Sequence, residues 1–190
     1  NHIVSQVPNF YVSIPSSDSA EEGGWNYSVV ADPKNQIAEV PTKSIVEGQA
    51  DLAVGSDLTW NMSIPVPTLN NDETFTSATV TDALDSRLTY VAGSSVLKVG
   101  AITLVDGTDD NVTGNAVWTL TDQGRAILDE HMGETLTIEF KTTVNSIGNG
   151  VIPNETYSSA FNGTTVPGET TPYSYWGKLS ILKQDDSQNN

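Results

Sequence analysis

The sequence contains no cysteine, which excludes disulfides, thiolate nucleophiles and thiolate metal sites. It is also short of positive charge. Lys and Arg number 8 against 24 Asp and Glu, a formal net charge of −16 over 190 residues. So acidic a chain lacks the basic footprint that nucleic acid or an anionic membrane requires, and its charge opposes non-specific self-association. No run of about 18 apolar residues occurs, which excludes a transmembrane helix. The first residues, NHIVSQVPNF, carry neither the charged nor the apolar region of a signal peptide. The two histidines, His2 and His131, lack ligand spacing, so zinc is not expected. No cofactor is implied. The polar end QDDSQNN has no structural pattern, and both ends read as cuts through something longer.

What is present is alternation. In LTWNMSIPV, Leu58, Trp60, Met62, Ile64 and Val66 share one face, and Thr59, Asn61 and Ser63 share the other. In ETLTIEFKTTV the pattern returns at Leu136, Ile138, Phe140 and Val144. FYVSIP, WNYSVVA, FTSATVTDAL, SVLKVGAITLV, NAVWTL and KLSIL also read as strands. NND, DGTDDN, GNG and VPG between them carry turn chemistry. One segment differs: LTDQGRAILDEHMGET offers Thr121 or Asp122 as an N-cap and Gly133 as a stop, predicting a short helix near residues 122–132 weakened by Gly124. Many strands, frequent turns and one short helix predict an all-β, immunoglobulin-like sandwich of about one good-sized core. Residues 16–24 (SSDSAEEGG) read as a loop, and residues 164–172 (TTVPGETTP) as an interdomain linker.

Of six lysines, two lie nine residues apart, Lys34 and Lys43. On a strand from Thr42, Lys43 shares a face with Ile45. Inward, it would lose its charge by desolvation and become a nucleophilic amine. Asp82 shares parity with Ala78, Val80 and Leu84, and burial would keep it protonated. Asn154 shares parity with Ile152 and, if no bulge intervenes, Ala160. Held together, these three can react. The acid polarises the Asn carbonyl, the amine attacks, ammonia leaves, and a Lys–Asn isopeptide bond remains. The competing reading is an edge-strand lysine left in water, where it guards against edge pairing.

Other residues admit chemistry with less pattern behind them. Glu139 has parity opposite to Ile138 and Phe140, so it faces solvent; it is the second choice for the acid. Residues 106–111 (DGTDDN) gather oxygens that calcium favours, without EF-hand spacing. Asp82 and Asp85 could be imagined as a glycosidase pair, with no substrate cleft to support it. Asn26, Asn61, Asn111, Asn154 and Asn162 begin Asn-X-Ser/Thr sequons. A glycan on Asn154 would exclude the crosslink.

Residues 25–35, WNYSVVADPKN, resemble the pilin motif of sortase-assembled pili on Gram-positive bacteria. Trp25, Val29, Pro33, Lys34 and Asn35 match, while Ala31 and Asp32 replace the usual Val and Tyr. TKSIVEG, VGSDLTWNMSIPVP, TVTDALDSRLTYVAGS, the helix around QGRAILDE, and IPNETYSSAFNG follow in the order seen in the middle domain of major (shaft) pilins. The resemblance covers roughly residues 10–171. It implies a collagen-adhesin A-type immunoglobulin-like domain over 36–172. Residues 1–35 would supply the last strands of a preceding domain, and 173–190 a linker and the first strand of a following one.

The resemblance also implies roles. Lys43 would be joined to Asn154, with Asp82 as the catalytic acid. Lys34 would be joined by a class C pilus sortase to the C-terminal threonine of a neighbouring subunit. Lys183 would be the unreacted lysine of the next domain. The protein would be a cell-surface structural subunit whose partners are other pilins and the sortase. Its crosslink would be a single self-directed turnover rather than enzyme catalysis. The alternatives are an adhesin domain binding a host glycan or matrix protein, which would need a concave or aromatic-lined patch, and a plain spacer with neither bond.

Overall fold

The computed structural model describes residues 2–5, 16–17, 25–26, 35–46, 53–70 and 72–175. In chain order the strands are β1 (His2–Ser5), β2 (Ser16–Ser17), β3 (Trp25–Asn26), β4 (Gln36–Ala38), β5 (Thr42–Ile45), β6 (Asp57–Pro65), β7 (Ala78–Ala83), β8 (Leu88–Tyr90), β9 (Val96–Val99), β10 (Ile102–Thr103), β11 (Asp110–Thr113) and β12 (Val117–Leu120). Helix α1 (Asp122–Glu130) follows, then β13 (Thr135–Val144), β14 (Val151–Pro153), β15 (Thr156–Phe161), β16 (Thr164–Pro167) and β17 (Tyr173–Tyr175). The expected strands in FYVSIP and KLSIL, and most of WNYSVVA, lie outside the described residues.

Two antiparallel sheets make an immunoglobulin-like sandwich. One runs β10-β9-β13-β6-β5, with β8 also on β13; the other runs β11-β12-β7-β15-β16. The two strongest alternations pair with each other at the centre of the first sheet, Ile138 opposite Met62 and Phe140 opposite Trp60. Their inward residues are all buried, because a period of two puts every second side chain on the core face. The sheets meet through aromatics. Trp118 of β12 and Phe140 of β13 stand edge to face at 4.9 Å between ring centroids. Thr142 is the one polar inward position of β13, and its hydroxyl accepts the Trp60 indole N–H at 2.8 Å. That bond satisfies a donor which would otherwise be buried unpaired.

Smaller pairings cross the expected domain limits. β1 pairs with β4, the Thr164 hydroxyl donates to the Ile3 carbonyl at 2.7 Å, and β14 pairs with β17. Residues 164–172 are not a free linker. Thr164–Pro167 is β16, hydrogen-bonded to β15 with Val166 opposite Ser159, and Val166 is fully buried. The polar composition of TTVPGETTP conceals one core position on an edge strand, where Pro167 needs no partner for its missing N–H.

The helix begins as expected. Thr121 is the N-cap, its hydroxyl accepting the Gly124 N–H at 3.3 Å. It ends at Glu130 rather than Met132, with the His131 N–H closing on the Leu128 carbonyl at 3.0 Å. Gly124 is there because of packing. A Cβ at this position would lie 2.0 Å from the backbone oxygen of Asp109. Gly124→Ala is therefore expected to destabilise the fold by about 1–3 kcal/mol by overpacking, although alanine is the better helix former by about 1 kcal/mol. A urea titration of the two proteins checks the sign.

Candidate functional site

Lys43 comes from the edge strand of the first sheet, opposite Met62 of β6. Asp82 comes from β7 in the second sheet, opposite Tyr157 of β15. Asn154 sits in the two-residue break between β14 and β15, its N–H bonded to the Pro172 carbonyl at 3.2 Å. The three side chains meet between the sheets. Relative exposures of 4% for Lys43, 1% for Asp82 and 1% for Asn154 rule out the solvated edge lysine.

The Lys43 Nζ lies 2.9 Å from Oδ1 and 3.0 Å from Oδ2 of Asp82. The Asn154 Nδ2 donates to the same Oδ2 at 3.0 Å. Asp82 thus bridges the amine and the carboxamide. Tyr157 covers the amine with its ring centroid 4.5 Å from Nζ, and Trp60 flanks it at 5.6 Å.

Burial dominates the protonation of both groups. It lowers the Lys43 pKa from the ordinary lysine value, against the opposing pull of the Asp82 charge and hydrogen bond. It raises the Asp82 pKa, against Lys43 and the Asn154 hydrogen bond. Both shifts favour the neutral pair, with the shared proton on oxygen rather than nitrogen. The Asn154 Oδ1 is buried with no hydrogen-bond partner among the described residues, an arrangement that carries a desolvation penalty. A half-turn of the amide would place that oxygen against a protonated Asp82, which would then donate to it. The arrangement can therefore present an unprotonated amine and a polarised amide carbonyl to each other in a dry pocket.

Parity does not continue from Asn154 into β15 as expected. Tyr157, Ser159 and Phe161 are buried while Ala160 is half-buried, because residues 154–155 leave the strand and reset the alternation. Tyr157, Trp60 and Thr170 are site residues that sequence reasoning does not single out. Trp60 and Tyr157 carry only the signal of inward aromatics, and Thr170 lies in the segment that reads as a linker.

Glu139 is exposed on β13, between Asn61 and Val96 of the neighbouring strands, so it does not serve as the acid. Asp85 is clamped by Arg87 at 2.8 Å while Asp82 faces Lys43, so the two do not form a catalytic carboxylate pair. Asn162 uses its amide as a turn brace, Oδ1 accepting the Thr76 N–H at 2.7 Å. Buried Asn154 leaves no room for a glycan. Lys34 and Lys183 lie outside the described residues.

Among the described residues, no three His, Asp or Glu side chains are grouped to hold a metal ion. In the acidic loop, Asp109 Oδ2 is taken up by the Val105 N–H at 2.8 Å. Asp110 is 1% exposed, with Oδ2 unpartnered among the described residues. Burial, then the charges of Asp106 and Asp109, push its pKa up to about 6. The native state thus holds a proton that the unfolded chain releases near pH 4, so this group's contribution to stability falls as pH rises from about 4 to about 6. Asp110→Asn is expected to be more stable than the parent by on the order of 1–3 kcal/mol at pH 7. The difference should close below about pH 4, as read from chemical denaturation at both pH values.

No family model matches the chain. It is 28% identical over 204 residues to the fimbrial subunit type 2 of Actinomyces naeslundii, covering 97% of this chain and 38% of that protein. It is 29% identical over 214 residues to the fimbrial subunit type 1 of Actinomyces viscosus, covering 95% and 40%. Among solved structures, the full-length major pilin SpaD of Corynebacterium diphtheriae superposes with a TM-score of 0.71 at 27% identity, covering 93% of this chain and 44% of that one. The chain spans less than half the length of each of these relatives.

Proposed function

We propose that this chain, a relative of the shaft pilins of Gram-positive pili, is part of a cell-surface pilus subunit whose middle domain crosslinks itself. The observation that carries this reading is the buried contact of Lys43, Asp82 and Asn154. The neutral Lys43 amine attacks Cγ of Asn154 while protonated Asp82 donates to Oδ1. The Nζ–Cγ bond forms, a proton passes from Nζ through Asp82 to the leaving Nδ2, and the Cγ–Nδ2 bond breaks to release ammonia. The product is one amide joining the edge strand of the first sheet to the entry of β15 in the second, so that tension on the domain crosses a covalent link. The step turns over once, on its own chain.

Residues 36–172 form the crosslinked domain in this reading, with 1–35 and 173–190 belonging to its neighbours. Lys34 is the acceptor through which a class C pilus sortase joins the next subunit, and the resemblance of WNYSVVADPKN to the pilin motif supports that role.

High-resolution intact mass tests the crosslink. The expected value is about 17 Da below the sequence mass, one ammonia, with a proteolytic peptide pair joining Lys43 to Asn154. A mass equal to that of the sequence would overturn it. The sortase role is tested separately, with purified pilus sortase and an acyl-donor peptide. Conjugation is expected at Lys34 and should be absent in Lys34→Ala; conjugation that persists unchanged in that variant would refute it.

A further inference from the structure

We infer that Thr170 is a positioning residue for the crosslink, clamping the outer edge of β5 and holding the Tyr157 ring over the Lys43 amine, so that the bond closes only once the last segment of the domain has docked. This rests on the self-crosslinking reading above.

The geometry is specific. Among the described residues β5 ends its sheet, with β6 on one side only. On the side away from β6, one hydroxyl meets both backbone groups of Lys43: Thr170 Oγ1 accepts the Lys43 N–H at 2.9 Å and donates to the Lys43 carbonyl at 3.1 Å. One side chain thus does for the nucleophile-bearing residue what a neighbouring strand would otherwise do. The same threonine holds Tyr157. Its backbone N–H donates to the Tyr157 hydroxyl at 3.1 Å, and the two hydroxyls are hydrogen-bonded to each other.

Gly168 completes the fit. Its N–H donates to the Tyr157 carbonyl at 2.9 Å, and a Cβ there would lie 2.1 Å from Cε2 and Cζ of the Tyr157 ring. A rigid aromatic cannot yield to such an atom without shifting off the amine. Residues 168–170 therefore fix both the backbone under Lys43 and the lid above it. The reacting groups come from positions 43, 82 and 154, and position 170 aligns them. The reaction is in this way conditional on a finished fold, which protects a partly folded chain from a premature bond.

The test follows the maturation of freshly synthesised full chain by intact mass over time, at several pH values, for the parent, Thr170→Val, Thr170→Ser and Gly168→Ala. The parent and Thr170→Ser are expected to lose ammonia together. Thr170→Val and Gly168→Ala should mature at least about tenfold more slowly, since small misplacements of reacting groups are costly. Melting Lys43→Ala with and without Thr170→Val separates alignment from folding, because neither protein can crosslink. Closely matching melts alongside slow maturation support positioning. Maturation of Thr170→Val at the parent rate, or slow maturation explained by an equally large loss of fold in the Lys43→Ala background, overturns it. A parent that never loses ammonia defeats the crosslinking reading itself, and this inference with it.

Discussion

Lys43→Ala is expected to restore the full sequence mass and to lower the melting temperature by roughly 8–20 °C. The bond would close a loop of 154 − 43 = 111 positions. Restricting the unfolded chain over that span is worth on the order of 4–5 kcal/mol if an isopeptide acts as a disulfide does. Each kcal/mol moves the midpoint of a domain this size by about 2–4 °C. Asn154→Ala isolates the cause, since it also prevents the bond but keeps the Lys43–Asp82 contact at 2.9 Å. Both variants should lose the large entropic term. Lys43→Ala should then differ from Asn154→Ala by what the buried Lys43–Asp82 pair contributes, set against the Asn154–Asp82 hydrogen bond that Asn154→Ala removes. Two variants that melt with the parent, while the parent is lighter by one ammonia, would show that the bond forms without stabilising the domain.

Asp82→Asn is expected to slow maturation by at least about a hundredfold while leaving the fold largely intact. It keeps the shape of the side chain but can neither accept the amine proton nor pass one to the leaving group, and proton transfer of this kind is commonly worth 10²–10⁴. Asp82→Ala should be slower still, and less stable, because it strands a buried lysine without its partner. Intact mass followed over hours to days measures both.

The pH profile of the parent carries the sharper signature. Moving the proton from Nζ to Asp82 leaves the net charge of the pair unchanged, so the share of reactive neutral pairs does not vary with pH through the middle range. The rate should be flat there. It should fall in acid, where a second proton makes the amine an ammonium, and in alkali, where Asp82 loses the proton it donates. A rate climbing tenfold per pH unit through neutrality would instead mean that Lys43 titrates alone, as an exposed lysine does.

Much of the sandwich was legible because a period of two is a local property. Leu58, Trp60, Met62 and Ile64 had to share a face wherever the strand went, and so did Leu136, Ile138 and Phe140. The same parity aims Lys43 and Asp82 inward, each through apolar neighbours two residues away on its own strand. What local pattern could not reach was the strand in residues 164–167, whose single buried valine is hidden among threonines and prolines. Nor could it locate the parity reset after Asn154, where two residues leave the strand.

By itself the sequence determined the all-β class, the absence of thiol chemistry, the strong acidity and the inward direction of Lys43 and Asp82. Each of these follows from composition or from neighbours a few residues apart. Only the tertiary structure decided that Lys43, Asp82 and Asn154 come together, that burial outweighs the mutual attraction of Lys43 and Asp82 in setting their protonation, and that Tyr157 covers the amine while Thr170 holds the backbone edge of Lys43. Contact and desolvation are made by residues far apart in the chain, 39 positions for Lys43 and Asp82, 72 for Asp82 and Asn154 and 127 for Lys43 and Thr170. No periodicity within a single strand encodes which distant strand edge will meet it.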